Sequence, residues 1–102
     1  MELDIKVGRG YAIANMKGEL DHHGCHQIKD DLDVLLNRPS TKVLILDMEH
    51  VSFMDSSGIG LLMGRYKLMR ALGGVVLITN AGERIQKILV LSGIHKIISM
   101  EE

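Results

Sequence analysis

Apolar and charged residues alternate at the start of the chain, with Leu3, Ile5 and Val7 set between Glu2, Asp4 and Lys6. A period of two describes a strand with one wet face. Gly8-Arg9-Gly10 can turn the chain, and a second strand is predicted over Tyr11 to Lys17. After Gly18-Glu19-Leu20-Asp21 the spacing changes: Cys25, Ile28, Leu32, Leu35 and Leu36 recur at helical intervals, which puts them on one face. Asn37-Arg38-Pro39 ends that helix, because proline disfavours helix in the residue before it. Val43-Leu44-Ile45-Leu46 and Val75-Val76-Leu77-Ile78 are short unbroken apolar runs separated by helical patterns. Such runs are the mark of parallel strands covered by helices.

The helix between those runs is predicted from about Ser57 to Leu72. Ile59, Leu62, Met63, Tyr66 and Met69 point one way, Leu61, Leu68 and Leu72 widen the arc, and Gly60, Gly64 and Ala71 form a separate small-residue face. Each interior glycine costs about 1 kcal/mol against alanine, so something is expected to approach this surface closely. A partner and a neighbouring element of the same fold fit that expectation equally. A third helix is predicted from about Glu83 to Leu91 with Gly93 as its C-terminal cap, then a last strand from Lys96 to Met100. The order is strand, strand, helix, strand, helix, strand, helix, strand. It predicts an α/β fold, a mixed and mostly parallel β-sheet with helices packed on it.

With 102 residues, 46% of them hydrophobic, the chain can bury one small core, so residues 1–102 are expected to form a single domain. Its 12 basic and 13 acidic residues nearly balance and are scattered, which argues against nucleic acid and against an anionic membrane surface as partners. Cys25 is the only cysteine, and the N-terminus does not read as a targeting segment, so a cytoplasmic location is expected. No apolar stretch approaches the roughly 20 residues needed to span a bilayer. Aromatics are few and methionines number seven, which predicts an aliphatic, adaptable core.

The candidate chemistry is concentrated at Asp55-Ser56-Ser57-Gly58-Ile59, where the apolar segment Val51-Ser52-Phe53-Met54 gives way to a helix. Asp and Ser are favoured at helix starts because a side-chain oxygen accepts from an orphaned N–H; a hydroxyl there is also an address for a phosphate. Other constellations are weaker. Asp21-His22-His23 with Cys25-His26 has zinc-ligand residue types, but no second cluster completes it, and Asp21 has a simpler role as a helix N-cap. Gly58-Ile59-Gly60 followed by Gly64 matches a dinucleotide fingerprint only in part, since Thr79-Asn80 stands where a ribose-binding acid belongs. Nucleophilic catalysis by Ser56 or Ser57 would need a base; His50 and His95 are available, but no spacing specifies either. An enzyme is not expected.

Taken together, Gly18-Glu19-Leu20-Asp21-His22-His23, then Val51-Ser52-Phe53-Met54-Asp55-Ser56-Ser57-Gly58-Ile59-Gly60, then Gly64-Arg65-Tyr66-Lys67 and Gly73-Gly74 resemble the anti-sigma factor antagonists of the STAS family. Within it they are most similar to the sporulation anti-anti-sigma factors, over nearly the whole chain. The resemblance implies a STAS-like single domain. It makes the first serine of the pair, Ser56, the phosphoacceptor, and implies a partner-binding surface of Asp21, Asp55, Ser57, Gly58, Ile59, Gly60 and Leu61. The unmodified protein would bind an anti-sigma factor that is also a serine kinase carrying an adenine nucleotide, and so free a sporulation sigma factor. Phosphorylation of Ser56 would switch it off, and a serine phosphatase of the PP2C type would restore it. No cofactor, metal or catalytic residue is implied. The family carries a further C-terminal helix, whereas this sequence stops at Glu101-Glu102, so that final helix is expected to be absent. The alternatives are a STAS-type scaffold or nucleotide-sensing module without phosphoswitching, and a small hydrolase using Ser57.

Overall fold

The computed structural model describes residues 1–101. Strands β1 (Glu2–Val7) and β2 (Tyr11–Leu20) form an antiparallel hairpin, and α1 (His22–Leu36) leads to β3 (Val43–Met54). Helix α2 (Ser56–Ala71), strand β4 (Val75–Thr79), helix α3 (Glu83–Ser92) and strand β5 (Ser99–Glu101) follow. The sheet runs β1-β2-β3-β4-β5, with every pair after the hairpin parallel. The predicted mixed, mostly parallel sheet with packed helices is therefore the observed one.

Strands β2 to β5 are laid down in chain order, so right-handed crossovers bring the intervening helices to one face of the sheet. The burial pattern follows. Ala12, Ala14, Met16, Leu44, Leu46, Met48 and Ile78 are fully buried on the helix side, whereas Ile13, Ile45 and Leu77 on the other side are only half-buried. Leu3, Ile5 and Val7 pair opposite Met16, Ala14 and Ala12 and extend the helix-side face to the sheet edge. Methionines fill gaps between aliphatic side chains: Met16, Met48, Met54 and Met69 are all in the core.

Four boundaries differ from the sequence expectation. β2 runs on to Leu20, and β3 joins Val43–Leu46 to Val51–Met54 through polar Asp47, Glu49 and His50. Register shifts between Asn15 and Lys17 and between Gly18 and Glu19 break the alternation there, which hides the continuous strand from a period-two reading. The last strand is Ser99–Glu101, not Lys96–Met100. Gly93 takes φ +82° and Ile94–Lys96 form a 3₁₀ turn, with the Lys96 N–H donating to the Gly93 carbonyl at 3.1 Å. Ile94 and Ile98 both reach the core while His95, Lys96 and Ile97 between them are exposed, which lacks the period of two that a strand requires. Finally, α2 starts at Ser56, one residue earlier than its sequence pattern suggested. Its buried stripe is Gly58, Leu61, Leu62, Arg65 and Met69, while Leu68 and Leu72 are exposed.

Candidate functional site

Leu20 ends β2 directly opposite Met54 at the end of β3. The next residue of each strand, Asp21 or Asp55, is the N-cap of the following helix. The Asp21 carboxylate accepts from the Gly24 N–H at 2.7 Å, and the Asp55 carboxylate accepts from the Ser57 N–H at 2.8 Å. Two helix starts are thereby set side by side at the carboxyl edge of the sheet. Cys25 packs nearby; burial pushes its thiol up, and the charges of Asp55 and Asp21 push it further, so it stays protonated and unreactive at neutral pH.

Gly58 is what lets α2 settle onto this edge. A Cβ there would lie 2.8 Å from the Leu20 carbonyl oxygen and 2.6 Å from Met54 Cγ. Gly60 and Gly64 are different: outside the backbone of α2 itself, nothing among the described residues stands within 4 Å of where their Cβ atoms would be. The open small-residue face is therefore not filled by a neighbouring element among the described residues.

The residues singled out in the sequence fall into two layers. Ser56, in the first turn of α2, and Gly60, one turn on, are exposed. Asp21, Asp55, Ser57 and Ile59 are half-buried, while Gly58 is buried and Leu61 is only 7% exposed. Gly58 and Leu61 thus hold the surface from beneath, and Ser56 and Gly60 present it. Ser57 looks into a groove of about 410 Å³ between α1 and α2, shared with His22, Cys25, His26, Lys29, Gly60, Leu61 and Arg65.

Arg65 did not stand out in the pattern of residues except as part of the Gly-Arg-Tyr-Lys segment. It is buried, and its Nε lies 3.2 Å from an Asp33 carboxylate oxygen on α1, an ion pair that ties the two helices together. The available signal was its place on the buried stripe, four residues after Leu61 and four before Met69. His50 and His95 are exposed, and neither lines the groove into which Ser57 looks; the histidines that do are His22 and His26. Among the described residues no three His, Cys, Asp or Glu side chains converge as a metal site would require. No helix among them is long and apolar enough to cross a membrane.

Residues 2–102 match the STAS domain family. The chain is 32% identical to the anti-sigma F factor antagonist of Paenibacillus polymyxa over 98 residues, which is 96% of this chain and 84% of that one. The solved structure of the anti-sigma factor antagonist SpoIIAA in its unphosphorylated form superposes with a TM-score of 0.78 at 27% identity, covering 99% of this chain and 88% of that one. The phosphorylated form of the Bacillus cell fate determinant SpoIIAA gives 0.75 at 29% identity, covering 97% and 90%. With the family match over residues 2–102 and the fold likeness in agreement, the chain belongs to the STAS domain family.

Proposed function

We propose that this protein is an anti-sigma factor antagonist controlled by phosphorylation at Ser56. In its unmodified form it binds an anti-sigma factor that is also a serine kinase, with adenine nucleotide bound on the kinase, and thereby frees a sporulation sigma factor. Transfer of a phosphate to Ser56 releases the kinase, and a PP2C-type serine phosphatase resets the switch. The observation that carries this proposal is the exposed Ser56 at the start of α2, beside a glycine face that nothing among the described residues covers. The similarity to antagonists of sigma F and sigma B regulators supports it.

The physical basis is a gate at the interface. A phosphate adds roughly −1.5 to −2 charges and three acceptor oxygens, and a helix N-terminus accommodates negative charge. The protein's own fold is then left intact, while a partner packed on Ser56, Ile59 and Gly60 would have to desolvate the added charge. Burying an unpaired charge is costly enough to undo a modest interface. Asp55 adds like charge next to it. The test is to incubate the protein with ATP and its cognate anti-sigma kinase and to locate the phosphate by mass spectrometry. Phosphate on Ser56, with Ser56→Ala binding the kinase persistently and Ser56→Asp binding poorly, is the expected result. Equal affinity of the two variants refutes the gate, and phosphate on Ser57 moves the site.

A further inference from the structure

The polar groups that line the groove between α1 and α2 are mostly hydrogen-bond donors. Lys29 and Arg65 bring donors only, and Ser57, His22 and His26 can each donate. The larger part of the wall is apolar, with Leu61, Gly60 and the protonated Cys25 contributing to it, and the donors are set into that surface. A lining of this kind calls for an acceptor-rich, compact, anionic occupant.

Arg65 supplies the second observation. Its side chain is 8% exposed, and its Nη1 is buried with no hydrogen-bond partner among the described residues. The Nε lies 3.2 Å from Asp33, yet neither Nε nor that Asp33 oxygen makes an aligned hydrogen bond. Buried guanidinium donors are normally satisfied, and leaving one unpaired is expensive. The opposing charges do not close the gap. Asp33, about a third exposed, has Arg65 as its one ion-pair partner among the described residues; Asp55 and Asp21 are already engaged by the Ser57 and Gly24 N–H groups. Lys29 on the exposed rim has no ion-pair partner among the described residues.

We propose that this groove binds a small tetrahedral oxyanion of the phosphate class, held by Arg65 from the floor and Lys29 from the rim, with Ser57 donating from the α2 side. The site belongs to the unmodified chain and does not depend on Ser56 being a phosphoacceptor. Since Ser57, Gly60 and Leu61 form one wall, occupancy would alter the surface next to Ser56 without any covalent change.

The probe is inorganic phosphate, titrated into the ¹⁵N-labelled protein against sodium chloride at matched ionic strength. Saturable shifts of the Ser57 and Gly60 amides and of the Arg65 Nε–H are expected. Arg65→Gln should weaken binding about tenfold, the effect of losing a charged hydrogen bond. Lys29→Ala, an exposed change that leaves the fold alone, should weaken it about threefold. Asp33→Asn should tighten it, because the carboxylate that competes for Arg65 loses its charge. Shifts that fail to saturate, or an affinity unchanged in folded Lys29→Ala and Asp33→Asn, overturn the proposal. If Arg65→Gln does not fold, those two variants decide it.

Discussion

Glycine serves opposite ends on the two sides of α2. At Gly58 the obstacle to a side chain is the Leu20 carbonyl, 2.8 Å from a built Cβ, and backbone cannot swing aside as a flexible side chain can. Gly58→Ala should therefore destabilise the protein by about 1–3 kcal/mol, the usual range for overpacking, read as a lowered urea midpoint. At Gly64 a Cβ meets nothing within 4 Å, so Gly64→Ala should stabilise by up to about 1 kcal/mol through helix propensity. The sequence could not separate these glycines, because what distinguishes Gly58 is a carbonyl contributed by β2, remote in the chain. Cys25 makes a prediction of another kind. Its folded thiol titrates above its ordinary range because of burial and the Asp55 and Asp21 charges. As pH rises past the unfolded thiol's range, the unfolded chain ionises first, so stability is full below that range and is lost as pH climbs toward the folded value. Cys25→Ala should flatten this alkaline limb in a series of denaturant melts.

At the level of elements, what was legible had a clean period. The α1 stripe of Cys25, Ile28, Leu32, Leu35 and Leu36 is buried as its spacing required, and Gly93 caps α3 in the left-handed conformation expected of it. What was obscured lay where two periods meet. β3 crosses two register shifts, and the tail after α3 spends a 3₁₀ turn before its last strand. The ion pair between α1 and α2 was equally hidden, since it lies on helices whose burial is otherwise apolar. Asp33→Ala removes the carboxylate 3.2 Å from buried Arg65. Breaking such a pair from one side costs about 3–5 kcal/mol when both charges are buried, and Asp33, about a third exposed, places the expected loss at or below the lower end. Converting both partners together, Asp33→Leu with Arg65→Met, should recover most of it, as a double-mutant cycle by chemical denaturation would show.

For the molecule as a whole, topology decides where regulation can sit. Parallel strands in chain order put consecutive helix starts at one edge of the sheet, and the equal ends of β2 and β3 bring Asp21 and Asp55 together there. The sequence revealed these residues as caps, but not that they would be neighbours, because strand order is a three-dimensional fact. A charge added at Ser56 consequently acts in two directions. Within the fold it stands at the positive end of α2, where an acidic group stabilises by about 0.5 kcal/mol; across the proposed interface the same charge must be desolvated. Ser56→Asp should therefore raise the thermal midpoint slightly while weakening the proposed complex with the anti-sigma kinase by at least tenfold, about 1.4 kcal/mol. Both quantities come from one preparation, by calorimetric unfolding and by titration of the partner. A fall in both would mean that the added charge disrupts α2 itself, and the gate would have to be replaced by local unfolding. Opposite signs leave the backbone in place and assign the whole effect to the surface formed by Ser56, Ile59 and Gly60.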